Sequence, residues 1–131
     1  MRSLLSLFLL ALATEVSANT FFDWSSNNIQ LLHGTHFKAT DSTRTITTLQ
    51  HADSWRYGEN FMFVDIDDRA EADHYAVYGE FYPRLSWSKI SGQTPTLPLF
   101  KDFSIVAGLN AGNLPEDDPF RAYLLGLGVK F

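Results

Sequence analysis

The stretch from Tyr75 to Ser88 alternates between two sets of side chains. Successive side chains of a strand point to opposite faces, so this segment has two faces of different chemistry. One face carries Val77, Gly79, Phe81, Pro83, Leu85 and Trp87, and the other carries Tyr78, Glu80, Tyr82, Arg84, Ser86 and Ser88. Strands of soluble sheets are usually about five or six residues long, whereas a tilted strand that crosses a bilayer needs about nine to eleven. The length of the alternation therefore favours a transmembrane strand.

The same pattern predicts five further strands and no helix of consequence. We place breaks at Asn27-Asn28, in a connection at 55–60, and in loops at 90–98 and 111–119. Pro83 cannot donate a ladder hydrogen bond, so the fourth strand is expected to contain a bulge or a local edge there. The chain is thus predicted to be all-β, with strands at Ile29–Lys38, Arg44–His51, Phe61–Ile66, Tyr75–Ser88, Leu99–Asn110 and Phe120–Phe131.

The third and sixth predicted strands also divide into two faces. The register that turns Asp65 inward is preferred, because a carboxylate in hydrocarbon costs a few kcal/mol near the midplane of a bilayer. This register turns Met62, Val64 and Ile66 toward lipid, and Phe61, Phe63 and Asp65 toward a lumen. The alternation of the sixth strand likewise separates two sets of side chains. The outward set is Tyr123, Leu125, Leu127, Val129 and Phe131, and the inward set is Ala122, Leu124, Gly126, Gly128 and Lys130.

Composition narrows the class of protein. The 131 residues include no cysteine, 15% are aromatic and the formal net charge is -5. The mean hydropathy of -0.10 does not fit a helical membrane protein, but it fits a barrel whose lipid-facing residues alternate with polar ones. The acidic balance argues against nucleic acid as a partner. The chain has no thiol for disulfides, catalysis or zinc binding.

Residues 1–18 have the three parts of a secretory signal peptide. Arg2 provides the positive start, 4–13 is a short apolar run, and Val16-Ser17-Ala18 resembles a cleavage site. The alternative is a buried N-terminal helix of the mature fold. The prediction is an exported protein whose partial outer-membrane β-barrel domain spans residues 19–131, located in the outer membrane of a Gram-negative cell.

No motif indicates an enzyme, a metal site or another cofactor. The chain contains serine, histidine and acidic residues of the kinds that hydrolases use. Their sequence contains no nucleophile-elbow motif, and their spacing is not that of zinc ligands. An acidic stretch lacks the glycine and the final glutamate spacing of an EF-hand, so a solvated loop is expected there. His33 and His36 fall on opposite faces of a strand. The acidic stretch comprises Asp65, Asp67, Asp68, Glu71 and Asp73, and the hydrolase types are Ser86, Ser88, His51, His74 and Glu80.

The predicted strand number is too small for a closed barrel. Outer-membrane barrels begin at about eight strands, and an open sheet leaves unpaired backbone groups in lipid. The sequence is therefore expected to be a fragment, about half of a barrel, from a truncated or split reading frame, or else a chain that needs a partner to close.

Several segments carry a family resemblance: Phe22-Asp23-Trp24, Trp55-Arg56-Tyr57-Gly58, 78–86, Leu99-Phe100-Lys101-Asp102 and 122–128. In order and spacing they resemble the N-terminal half of the nucleoside-specific channel-forming family of outer-membrane porins (Tsx-like, including OmpK). This resemblance covers about residues 20–131. It implies a transport channel of about twelve antiparallel strands, monomeric when full length, that passes nucleosides and whose surface loops serve phages or colicins as receptors.

A lumen built in this way is expected to be lined by Phe61, Phe63, Tyr78, Glu80, Tyr82 and Arg84, with His36 and Lys38. Aromatic side chains can stack on a nucleobase, at about 1–3 kcal/mol per base. Glu80 and Arg84 can hydrogen-bond ribose hydroxyls or base edges, or can instead pair with charges across the lumen. The alternative function is that of a soluble periplasmic β-barrel that binds a small ligand.

Overall fold

A computed structural model describes residues 21–36, 43–70, 75–113 and 119–131. The described chain forms one open sheet in which six antiparallel strands follow each other in chain order. This confirms the predicted all-β class and the number and order of the strands. The elements are β1 (Phe22–Gly34), β2 (Arg44–Trp55), β3 (Gly58–Arg69), β4 (Ala76–Ser86), α1 (Trp87–Ser91), β5 (Asp102–Asn113) and β6 (Phe120–Lys130).

The first three strands are longer than predicted. Asn27 and Asn28 do not break the chain but lie inside β1, opposite His51 and Gln50 of β2. Their turn preference is overridden because the backbone of β1 pairs with β2 along almost its whole length. The predicted connection at 55–60 is too long, since only residues 56 and 57 join β2 to β3, in a two-residue turn.

Gly58 is required where this turn packs against β4. A Cβ atom added at Gly58 would collide with the backbone carbonyl oxygen of Arg84. The amide of Ser86 also donates to the carbonyl oxygen of Tyr57 at 2.9 Å. The turn between β2 and β3 is therefore held against the end of β4, and any larger residue at position 58 would separate them.

The fourth strand ends earlier than predicted, and a short helix follows it. Ser86 caps the helix because its Oγ accepts a hydrogen bond from the amide of Lys89 at 3.2 Å. Gly92 ends the helix in the left-handed conformation at φ 71°, and its amide donates to Ser88. Part of the predicted 90–98 loop is thus helical, because α1 continues to Ser91.

The predicted irregularity at Pro83 takes a different form. Phe81 pairs with Leu109 and Arg84 pairs with Val106, so the register between β4 and β5 is unchanged across the proline. Only the pairs of Tyr82 and Pro83 with β5 are missing. Their absence is expected because proline has no amide proton to donate to the ladder. The register shift of the sheet lies instead in β1, between Phe22 and Trp24. In β5 the strand continues to Asn113, past the start of the predicted 111–119 loop, of which 114–118 lie outside the described residues.

The pairing of neighbouring strands assigns every strand position to one of two faces of the sheet. The predicted third, fourth and sixth strands correspond to β3, β4 and β6, and their residues within these strands group into the two predicted faces. The polar face includes Ser26, Gln30, Thr48, Gln50, Glu59, Asp65, Asp67, Tyr78, Glu80, Tyr82, Arg84, Asn110 and Lys130. The apolar face includes Ile29, Leu31, Leu49, Met62, Val64, Ile66, Phe81, Leu85, Phe103, Ile105, Leu109, Tyr123, Leu125, Leu127 and Val129.

The apolar face is the more exposed of the two. Leu125 is 82% exposed and Leu127 is 87% exposed, whereas the polar-face residues Asp67 and Ser86 are 6% and 4% exposed. Ala76 is the single buried hydrophobic residue of the described chain. The usual distribution of a water-soluble domain, with apolar residues inside, is inverted here.

The sheet curls so that its polar face is concave. In a flat sheet β3 and β6 would be about 14 Å apart. The Oε1 atom of Glu59 in β3 nevertheless lies 3.7 Å from the Nζ atom of Lys130 in β6. The rings of Tyr78 in β4 and Phe120 in β6 also meet across β5, with centroids 6.1 Å apart. Polar side chains from distant strands are thus brought together inside the curve.

Candidate functional site: the concave polar face

Six of the eight predicted lumen residues share the polar face of β3 and β4. Phe61 lies directly opposite Tyr82, and Phe63 lies directly opposite Glu80. Tyr78 and Arg84 extend this group toward the two ends of β4. His36 lies beyond the end of β1, with φ at 58°, and its ring contacts the hydroxyl of Thr35. Lys38 lies outside the described residues.

Hydrogen bonds connect three polar side chains of β4 through one residue of β5. The hydroxyl of Tyr78 donates to the carboxylate of Glu80, and the hydroxyl of Tyr82 donates to Oδ1 of Asn110 at 2.9 Å. Nδ2 of Asn110 lies 3.4 Å from both Tyr78 Oη and Glu80 Oε1. Asn110 was missed as a site residue, although the alternation of the fifth strand already separated it from the apolar positions. It positions the polar groups of the wall.

Aromatic rings form a continuous row beside this network. Centroids are 6.2 Å apart between Phe61 and Phe63, 5.9 Å between Phe63 and Tyr78, and 6.1 Å between Tyr78 and Phe120. The row crosses from β3 over β4 to β6. It provides flat apolar surfaces next to a carboxylate and an amide. A planar solute with polar edges could therefore stack and hydrogen-bond in the same place.

Ion pairs lie on the polar face at the end near 70–75. Asp67 accepts hydrogen bonds from the guanidinium groups of Arg44 and Arg69, the latter at 2.9 Å. Asp65 accepts from the hydroxyl of Thr48 at 2.6 Å. The expected solvated acidic loop is therefore wrong for Asp67 and Asp68, which belong to β3, as Asp65 was predicted to do. Glu71 and Asp73 lie outside the described residues. Paired in this way, Asp67 is almost completely buried.

A second charged group lies toward the opposite end. Arg84 is 3.8 Å and Lys130 is 3.7 Å from the carboxylate of Glu59. The partner of Arg84 is thus the directly opposed residue of the neighbouring strand β3. Pairing across the lumen stays a prediction. Glu80 instead accepts from a phenol and lies near an amide. The contacts of Glu80 with Tyr78 and Asn110 are thus hydrogen bonds to neutral groups.

A cavity of about 490 Å³ opens on the concave side between these groups. Its lining reaches from β1 to β5, which is possible only because the sheet is curved. It is close in size to the pockets that hold small organic molecules. The lining residues on the polar face are Trp24, Ala52, Glu59, Phe61, Tyr82, Arg84 and Val106. Asp53 and Asn60, which the register assigns to the other face, complete the lining.

A polar cluster interrupts the apolar face near the turn between β2 and β3. Asp53 is 3% exposed and accepts hydrogen bonds from Asn60 at 3.0 Å. His51 bonds to Asp53 through Nε2 at 3.0 Å and to Asn27 through Nδ1 at 2.7 Å. Both ring nitrogens of His51 therefore have hydrogen-bond partners within this cluster. The cluster is a structural contact among three strands.

Lys89 of α1 joins the elements at this end of the sheet. Its Nζ atom lies 2.7 Å from Asp23 Oδ2, 2.6 Å from Ser54 Oγ and 2.7 Å from the carbonyl oxygen of Trp55. The amine thereby connects the helix to β1 and to the turn after β2. Asp23 lies at the register shift of β1, between Phe22 and Trp24. This shift positions the Asp23 carboxylate for its contact with Lys89.

Lys89→Met is expected to loosen the α1 connection. The variant removes charge-assisted hydrogen bonds that are worth about 1.5–3 kcal/mol each when fully protected, and less here because the lysine is partly exposed. We expect faster hydrogen exchange in 87–101 than in the original chain. Lys101→Met, a change at an exposed lysine of the same connection, is the control, and equal exchange in both variants would contradict the role of Lys89.

The described ranges contain no group of three or more histidine, cysteine, aspartate or glutamate side chains that could hold a metal ion. In the same ranges, no helix has both the length and the apolar character needed to cross a membrane.

The fold and the site together define a class: a curved, open, six-stranded antiparallel sheet with a hydrogen-bonded polar wall on its concave side and an exposed apolar face. Comparisons with models of known protein families, with curated proteins and with solved structures found no match.

Proposed function

We propose that this sheet is part of the wall of an outer-membrane channel of the Tsx-like type, which passes nucleosides or similar small polar solutes. The observation that carries the proposal is the inverted distribution of side chains. Along β5, the apolar-face residues Phe103, Ile105 and Leu109 are exposed, while Ser104, Val106 and Gly108, the residues between them on the polar face, are more buried. This distribution supports a lipid-facing surface, because every second position of a barrel strand faces the hydrocarbon.

The geometry argues against the soluble alternative. A soluble barrel turns its apolar face toward the interior and its polar face toward water. Here the concave face is the one that carries Asp65, Glu80 and Asn110, and the convex face is the apolar one. The curvature therefore has the sign expected for a membrane barrel with a polar lumen.

Strand length and the position of aromatic residues support the same assignment. All six strands have 11 to 13 residues, enough for a tilted crossing of about nine to eleven. At one end, Trp55 stacks on Phe21 at 5.9 Å and meets the edge of Tyr57 at 5.4 Å. Aromatic girdles of this kind mark the membrane–water interfaces of barrels.

The solute class follows from the wall and from the family resemblance of the sequence. The row Phe61, Phe63 and Tyr78 can stack on a nucleobase, and Glu80 can accept hydrogen bonds from ribose hydroxyls or exocyclic amines. Several weak contacts along a wall suit passage better than one tight site. The family resemblance also implies that phages or colicins could bind the surface loops, and we include them in the proposal as partners.

Planar-bilayer conductance with and without adenosine tests this function. The purified chain should conduct, and adenosine should reduce the conductance. Phe63→Leu should weaken the effect of adenosine by about 5- to 150-fold, the equivalent of about 1–3 kcal/mol of stacking. Phe103→Leu, the same change on the apolar face, should leave it unchanged. Conductance that ignores adenosine would remove the nucleoside specificity, and recovery of folded protein in the soluble periplasmic fraction would remove the channel.

A further inference from the structure

An apolar groove of about 330 Å³ lies beside α1 on the convex side of the sheet. Strands β4, β5 and β6 contribute one side of the groove, and α1, which packs against β4 and β5, contributes the other. Apart from Ser104, every lining residue is apolar. These residues are Leu85, Trp87, Ile90, Phe103, Ile105 and Leu127. The groove is therefore separate from the polar wall of the concave side.

Polar contacts hold α1 in the position that forms this groove. The amide of Ser88 donates to Oδ1 of Asp102 at 2.9 Å, and the hydroxyl of Ser86 donates to the same carboxylate. Trp87 and Ile90 are three positions apart in α1, a spacing that places two side chains on one side of a helix. Both line the groove. The groove is thus formed before a ligand enters it, which lowers the cost of binding.

The apolar surface around the groove continues past the ends of the strands. Trp87, Ile90 and Ile105 are each more than half exposed. The chain that follows α1 adds Leu97 and Leu99, which are also more than half exposed. A cluster of exposed apolar side chains is a mark of a membrane contact or a ligand groove. The apolar character of the convex face therefore extends onto the connection between β4 and β5.

We propose that this groove holds one acyl chain of a membrane phospholipid, which rests on the proposed membrane location. A hydrocarbon chain has no polar group that would lose its hydrogen bonds against this lining, whereas a nucleoside or a peptide has several. Leu85 and Leu127 belong both to the groove and to the exposed apolar face, so a chain from the surrounding bilayer reaches the groove without crossing a polar surface. Tryptophan is enriched at membrane–water interfaces, so Trp87 places α1 near the lipid headgroups.

An acyl chain in this groove differs from the lipids that surround the rest of the convex face. It contacts α1 as well as the sheet, and each additional contact adds to the dispersion attraction that holds it. Lipids that touch only the strands have no such second wall. We therefore expect one phospholipid per chain to remain bound in mild detergent, while the other lipids are exchanged for detergent.

Native mass spectrometry tests this binding. The full chain is reconstituted in vesicles of dioleoylphosphatidylcholine and extracted in mild detergent, and the mass added to the folded chain is measured. Ile105 lies between Leu85 and Leu127 in the sheet, so Ile105→Trp fills the groove. We expect this variant to retain the phospholipid about tenfold less, because overfilling a packed site is costly. Leu109→Trp, the same kind of change on the same face of β5 outside the groove, should retain it.

Ile90→Ser and Leu99→Ser form a second pair, which leaves the strands unchanged. Ile90 lines the groove, whereas Leu99 is an exposed residue of the same connection outside the lining. Only Ile90→Ser should weaken retention of the phospholipid. No retained phospholipid, or equal retention in all variants, overturns the proposal.

Conductance and recovery in the outer-membrane fraction, measured on the same preparations, report separately on the proposed function. A chain that conducts but retains no phospholipid keeps the channel and loses the acyl-chain groove. Recovery of folded protein in the soluble fraction removes both.

Discussion

Leu125→Arg is expected to destabilise the membrane-inserted protein by about 2–4 kcal/mol, the cost of an arginine at the midplane of a barrel. Leu125 lies at the centre of β6 and is 82% exposed on the apolar face. In water, such an exposed position would tolerate arginine within about 0.5 kcal/mol. The predicted effect is therefore large only if this face meets lipid. Urea unfolding in lipid vesicles, followed by the heat-dependent shift of folded protein in gels, measures it.

Leu124→Arg is the matched control for this experiment. Leu124 is the preceding residue of β6 and differs from Leu125 mainly in the face that it occupies. On the concave side the guanidinium group would reach an aqueous lumen, so we expect a much smaller loss. Equal losses in the two variants, or no loss in either, would contradict the lipid contact of the apolar face. A larger loss for Leu124→Arg would reverse the assignment of inside and outside.

Asp67→Asn is expected to lower the free energy of unfolding by about 3 kcal/mol, at the lower end of the range for breaking a buried ion pair. Asp67 is 6% exposed and receives hydrogen bonds from Arg44 and Arg69. Both arginine side chains are nearly one-fifth exposed, so water partly compensates for the lost carboxylate. Equilibrium unfolding by denaturant, with tryptophan fluorescence as the signal, measures the difference.

Glu59→Gln provides the comparison on the same face. Glu59 also pairs with two cations, Arg84 and Lys130, but its distances are 3.8 and 3.7 Å and all three side chains are at least 36% exposed. Exposed pairs contribute at most about 1 kcal/mol. A loss for Glu59→Gln that matched the loss for Asp67→Asn would show that burial does not set the strength of these pairs.

The predicted strands were correct where alternation was strong and inaccurate at their ends. The alternation of 75–88 identified β4 and its two faces, but it continued through Trp87 into a helix. The helix signal was present, with Ser86 as the cap and Gly92 at the end. It was missed because Trp87 fits the period of the strand as well as it fits the first turn of α1. At 27–28 the error was opposite, since local turn preference was given more weight than pairing with a neighbouring strand.

The candidate site was predicted in part for the same reason. Residues of β3 and β4 were placed on one wall because period two groups them without knowledge of the fold. Asn110 was not included, because its contacts with Tyr78 and Tyr82 depend on the register between β4 and β5. Asp67 was assigned to a loop, although it belongs to β3, because a run of acidic residues has no alternation of its own that could indicate a strand.

The sequence by itself determined the all-β class, the six strands and the two chemically different faces, since these depend on the order of side chains along a strand. The tertiary structure decided which face is concave, and it brought Glu59 to Lys130 and Lys89 to Asp23. Those contacts join residues that are 66 to 71 positions apart. Their formation depends on the curvature of the sheet and on the register of each strand pair, and neither quantity is encoded in a local pattern.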